Sequence, residues 1–174
     1  MAKDHKILIV DDDKIVRLIL SDTLELDGFK NIITAVNGAD GLRLAREHHP
    51  TLVITDVMMP EMDGFKLVQE MKNDETLRAI PVIVLTSREE ISDLIRMTEV
   101  EDFIVKPFEK ENVLETVRRV LSRSLRCDAL KQKSANAAGD RVAELIKPDQ
   151  KDKSQILPGL TPLHEKIKKI LKEE

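Results

Sequence analysis

The residues of this 174-residue chain that could do chemistry are few, and they fall at recurring places. Short apolar runs rich in β-branched residues each end in polar residues of a definite kind. Ile7-Leu8-Ile9-Val10 ends in Asp11-Asp12-Asp13 and Leu52-Val53-Ile54-Thr55 ends in Asp56. Val82-Ile83-Val84-Leu85 ends in Thr86-Ser87, and Phe103-Ile104-Val105 ends in Lys106-Pro107. Carboxylates crowded together repel, and without a counter-charge at least one is pushed toward its neutral form. A hard divalent cation relieves this by taking a few carboxylate oxygens while keeping several waters, the habit of Mg²⁺. A lysine adds a point charge suited to a phosphoryl oxygen. A carboxylate between such a cation and a lysine can accept a phosphoryl group as an aspartyl phosphate. That transfer asks mainly for positioning and neutralisation of charge.

These residues act together only if the fold brings the run ends to one place. The four runs, with Ile32-Ile33-Thr34-Ala35-Val36, are short and continuously apolar, which predicts strands buried on both faces. Between them lie helical spacings: Val16, Ile19, Leu20, Thr23 and Leu24; then Leu42 and Ala45; then Val113, Val117, Val120 and Leu121. Gly28, Gly38 and Pro50 mark boundaries. Five strands alternating with five helices predict an α/β fold, a doubly wound five-stranded parallel sheet covered on both sides. Right-handed crossovers leave few topologies, and ligands bind at the carboxyl ends of such strands. The acidic, hydroxyl and lysine residues above then converge on one rim.

Composition narrows the classes further. At 41% hydrophobic and 34% charged, the chain is too apolar for wholesale disorder. The one cysteine, Cys127, allows neither an internal disulfide nor a cysteine-based zinc site, and no basic cluster beside it depresses its pKa. No stretch approaches the ~20 apolar residues of a membrane span, and the N-terminal apolar run is too short for a signal peptide, so a cytoplasmic setting is expected. Residues 1–124 carry a net charge of −7 and residues 125–174 one of +3. The acidic balance and the absence of Tyr and Trp argue against nucleic acid as a partner.

At this point the sequence resembles the receiver domain of two-component response regulators, over about residues 6–124. The motifs that carry the resemblance are ILIVDDD at 7–13, LVITDVMMPEMDGF at 52–65, IPVIVLTS at 80–87 and DFIVKPF at 102–108. The resemblance implies the chemotaxis-regulator-like, flavodoxin-like fold and a phosphoprotein regulator rather than an enzyme. Asp56 would accept a phosphoryl group from a sensor histidine kinase or phosphotransfer protein. Asp11 and Asp12 would bind Mg²⁺, Asp12 directly and Asp11 through water, with Asp56 and the backbone carbonyl of Met58. Thr86 would hydrogen-bond the phosphoryl group and Lys106 would pair with it, aimed by a Lys106-Pro107 step that is frequently cis in the family. Thr86 and Phe103 would be the switch residues, and Pro60 and Gly64 would shape the loop over the site.

One departure stands out. The segment from Thr86 to Lys106 is about two residues shorter than is usual, with Met97-Thr98-Glu99-Val100-Glu101 where the family has a Gly-Ala pair. The helix there should be shortened or re-angled. More ordinary roles compete elsewhere: Asp13 as a helix cap, Phe103 as core of a central strand, Phe29, Phe65 and Phe108 as packing, and His5, His48 and His49 as exposed surface.

Residues 125–174 are expected to be an extension, mostly helical or disordered. The last receiver helix can run past 124 on the spacing of Val117, Leu121 and Leu125. SANAAGD at 134–140 and KPDQKDKSQ at 147–155 read as linkers. Short amphipathic helices fit 141–147 and the end of the chain, where Thr161 caps and Leu163, Ile167, Ile170 and Leu171 form a stripe. Fifty residues interrupted by Pro148, Pro158 and Pro162 do not suit a DNA-binding output domain. The expected output is therefore contact with a downstream protein, with a homodimer left open. The competitors are a transcription regulator using the tail, a phosphorylation-independent scaffold, and an aspartate-dependent phosphohydrolase. The last would need a carboxylate where Met58 stands.

Overall fold

The computed structural model describes residues 3–87 and 100–139. The expected helix between the fourth and fifth strands, and the readings of residues 140–174, lie outside them. The chain divides into two units, Met1–Leu121 and Ser122–Glu174, and the sheet belongs to the first.

The strands are β1 (Lys3–Val10), β2 (Phe29–Ala35), β3 (Leu52–Asp56), β4 (Val82–Thr86) and β5 (Asp102–Val105). The helices are α1 (Lys14–Leu26), α2 (Gly38–His48), α3 (Gly64–Asn73) and α4 (Lys110–Gly139). All strand pairs are parallel, in the order β2-β1-β3-β4-β5. This is the doubly wound five-stranded sheet expected from the alternation of run types. β3 and β4 are buried at every position, as continuous apolar runs require.

Side chains alternate across a strand, so the sheet builds two cores. On one face Ile7, Ile9, Leu52, Ile54, Ile83, Leu85 and Ile104 pack with Leu20 and Leu24 of α1 and with Val113, Val117, Val120 and Leu121 of α4. On the other, Gly41 of α2 lies so close to Val10 that an added Cβ would meet its two methyl groups at 2.9 and 3.0 Å. Each fully buried Ile or Leu contributes about 1.5–3 kcal/mol relative to exposure.

Three helices start on side-chain caps: Asp13 accepts the Ile15 N–H at 2.7 Å, Asn37 the Asp40 N–H at 2.8 Å, and Asp63 the Lys66 N–H at 2.7 Å. Asp13 thus does the capping work expected of it.

Three expectations are corrected. β5 is an edge strand, not a central one, although Phe103 is buried as core. The SANAAGD stretch, read as a linker, is helical as far as it is described, through Gly139, in keeping with the strong helix propensity of Ala135, Ala137 and Ala138. His5 is half-buried, its ring tilted at 49° against Phe29 with centroids 6.2 Å apart.

Candidate functional site

Parallel strands of matched register deliver their last residues to one edge. Val10 pairs with Thr55, Asp56 with Leu85 and Thr86 with Val105, so Asp11, Asp56, Thr86 and Lys106 stand side by side along the rim. β1, β3 and β4 are the three inner strands, and their polar ends are walled in by the flanking strands.

Asp11 is fully buried and tethered on every side. Its N–H continues the ladder to the Ala35 carbonyl at 3.3 Å, and its own carbonyl accepts Arg17 Nη1 at 2.6 Å. Its Oδ1 accepts the Asp13 N–H at 2.8 Å, and its Oδ2 takes Lys106 Nζ at 3.0 Å. Asp56 is 8% exposed, with Oδ1 2.8 Å from the same Lys106 Nζ. One ammonium therefore bridges two buried carboxylates from strands on either side of the gap. Lys106 is held in place by its own N–H, which reaches the Thr86 carbonyl at 2.7 Å, and the Lys106-Pro107 peptide is cis.

Electrostatics follow from this crowding. Burial pushes the Asp56 carboxyl above the ordinary aspartate range; Lys106 pulls it down, and the Asp11 charge pushes it up again. For Lys106, burial acts downward, yet hydrogen bonds to Asp56 and Asp11 outweigh it and hold the ammonium above the usual lysine value. The cluster as it stands has more negative charge than one lysine balances.

Asp12 is exposed and brings a third carboxylate. One oxygen each from Asp11, Asp12 and Asp56 lie within 4.8 Å of one another. An octahedral ion with ligands at about 2.1 Å spans about 4.2 Å between opposite oxygens, so a small closure or an intervening water fits Mg²⁺ here. Hard carboxylate oxygens, and the absence of any sulfur or imidazole from this cluster, suit that ion.

The loop between β3 and α3 is fastened at close range. Gly64 N–H donates to the Val57 carbonyl at 2.8 Å and Gly38 N–H to the Met62 carbonyl at 3.0 Å. A Cβ on Gly64 would lie 2.0 Å from the Asp56 carbonyl oxygen, so only glycine fits that approach. Met58 projects outward at 63% exposure, leaving its backbone at the rim. Thr86 is fully buried, with Oγ1 donating to the Ser87 carbonyl at 3.0 Å. Phe103 is buried, its N–H donating to Asp102 Oδ1 at 3.0 Å. Asp11, Asp12, Asp56 and Lys106 are thus gathered into one cluster, while Thr86 and Met58 share its rim through their strand ends.

Three charged residues carry structural work that their place in the sequence does not signal. Arg17 holds the Asp11 carbonyl. Arg119 of α4 donates to buried Asp102, its Nη2 at 2.6 Å and its Nε at 3.0 Å. Glu101, in the departing segment, accepts the Val82 N–H and lies 3.4 Å from Lys72 Nζ. A capping-type spacing marks Asp13, but nothing in spacing marks these three, whose partners are remote or backbone.

A sequence model of the response regulator receiver domain matches residues 7–118. The chemotaxis protein CheY of Bacillus subtilis is 39% identical over 119 residues, which cover 68% of this chain and 98% of that protein. The DNA-binding dual master transcriptional regulator RpaA of Synechocystis is 37% identical over 121 residues, 68% of this chain and 50% of that one. The chain spans about half the length of the transcriptional regulators it matches. Among solved structures, the signal receiver domain of a signal transduction histidine kinase from Syntrophus aciditrophicus is similar with a TM-score of 0.63 and 33% identity, covering 83% of this chain and 98% of that one. The chemotaxis response regulator CheY4 of Vibrio cholerae superposes with a TM-score of 0.62 at 31% identity, covering 68% of this chain and 99% of that one. Receiver domains are regulatory phosphoacceptors rather than classical enzymes, and the Asp11, Asp12 and Asp56 cluster is in keeping with phosphorelay signalling. The chain belongs to the response regulator receiver domain family.

Proposed function

We propose that this chain is a response regulator of a two-component system in which Asp56 accepts the phosphoryl group of a phosphohistidine on a sensor kinase or phosphotransfer protein. The observation that carries the reading is the single Lys106 ammonium bridging Asp56 and Asp11, with Asp12 completing a triad of oxygens. Asp11, Asp12, Asp56 and the Met58 carbonyl would hold Mg²⁺, which when bound neutralises charge on the phosphoryl oxygens. Asp56 supplies the attacking carboxylate oxygen, and Lys106 stays charged and follows the phosphoryl group. Thr86 turns its hydroxyl to that group, and Phe103 repacks with it. Burial around Asp56 excludes competing nucleophiles.

The receiver is read as residues 1–124, followed by an extension over 125–174. Ile15, Leu18 and Ile19 of α1 and Met58 of the acceptor loop are exposed apolar residues near this rim, in keeping with docking of a phosphodonor protein. The output runs through a downstream protein. A second reading, control of transcription, is favoured by the names of several relatives, although the matched region spans about half of each.

Intact-mass analysis after incubation with Mg²⁺ and a small acyl phosphate tests the acceptor. One phosphoryl adduct is expected on the wild type and none on Asp56→Asn; uptake by that variant would refute the assignment. Steeply salt-dependent DNA binding that disappears on deleting residues 134–174 would select the second reading.

A further inference from the structure

Asp12 differs from its neighbours in how it is held. Among the described residues its carboxylate makes no hydrogen bond or ion pair, so the backbone on either side sets its position. The peptide after it is fixed by the Asp13 N–H on Asp11 Oδ1 at 2.8 Å. The peptide before it is fixed by the Asp11 carbonyl, which accepts Arg17 Nη1 at 2.6 Å. A peptide unit is planar, so holding its oxygen orients the Cα that follows. Arg17 closes the first turn of α1, and helical side chains lean toward the N-terminus, which returns its half-buried guanidinium to the strand end.

We propose that Arg17 is a positioning residue for the acidic cluster: by clamping the Asp11 carbonyl it fixes the peptide leading into Asp12 and so the spacing of the three carboxylates. The inference rests on the reading of that cluster as the Mg²⁺ site. Its sign separates it from simple electrostatics. Arg17 is a cation beside an acidic cluster, so on charge alone its removal would strengthen cation binding. As a clamp, its removal weakens binding, in the way that loss of an outer partner of a metal ligand commonly costs tenfold or more.

The test is calorimetric Mg²⁺ titration of the full chain as wild type, Arg17→Met, Arg17→Lys and Asp12→Ala, each first checked for a cooperative melt without metal. Arg17→Met is expected to weaken Mg²⁺ binding roughly tenfold, and Arg17→Lys, which can still donate to the carbonyl, to recover most of it. Binding by Arg17→Met as tight as wild type or tighter overturns the clamp, as does an equal loss in the lysine variant. Those results arise with wild-type binding intact and Asp12→Ala binding weakened. Absence of binding in the wild type instead overturns the metal reading and the clamp with it.

Discussion

At the scale of single residues, the cluster is a problem of unequal charges resolved by geometry. Asp11 and Asp56 are both buried, and the one ammonium between them is shared. Asp12→Ala is expected to leave the fold intact and shift the Mg²⁺ dependence of phosphoryl uptake to higher concentration; an unchanged titration would count against its role. Elsewhere, Asp102 and Arg119 form the clearest buried-to-surface pair. Arg119→Ala takes two charge-assisted hydrogen bonds from a buried carboxylate that keeps its other partners, and a loss of about 1.5–3 kcal/mol is expected from the urea midpoint. Asp74 provides the pH prediction. Hydrogen bonds from Thr76, and then from Arg46, lower its pKa from 3.8 to about 2. A depressed folded pKa means its stabilisation is present above the unfolded value and is lost as pH falls from about 4 toward 2. Urea midpoints of wild type and Asp74→Asn should therefore differ at pH 7 and converge at the acidic end; a constant gap would exclude the linkage.

At the scale of elements, what the sequence made legible was the type of each segment and the residues that end the strands. β-branched runs without polar interruption have few alternatives to buried strands, and Asp11, Asp56 and Lys106 fall at their ends as expected. Strand order was less legible. An edge strand buried at three of its four positions, as β5 is, reads like a central one, so the apolar run around Phe103 does not reveal its place at the edge. The SANAAGD stretch misled for a related reason, since small residues suit a flexible linker and an exposed helix equally well. Arg17, Glu101 and Arg119 were illegible because a long charged side chain in a sequence does not announce its partner. The acceptor loop yields an element-scale prediction. Gly64→Ala drives a methyl into the Asp56 carbonyl and should cost about 1–3 kcal/mol while slowing phosphoryl uptake. Gly41→Ala, which meets only the side-chain methyls of Val10 and Leu67, should slow uptake far less. Equal effects on uptake would remove the loop from the argument.

At the scale of the whole molecule, the last residue of the sheet's core on α4 is Leu121, and no helix among the described residues is long and apolar enough to cross a membrane. Residues 1–124 should therefore unfold in one cooperative transition and take a phosphoryl group on Asp56. Loss of cooperativity in that fragment would place the boundary further along α4.

The placement of Asp56 at the end of β3 has one more consequence. β3 is the middle strand of five, flanked by β1 and β4, with a helical layer over each face. Every group in the cluster hangs from a strand end or the turn beyond it, and none from the outward side of a helix. The outward helical surfaces are thus spared any part in bond making. On the proposed reading they can be rewritten residue by residue to change who is listened to and who is addressed, while the chemistry at the rim stays in the same script.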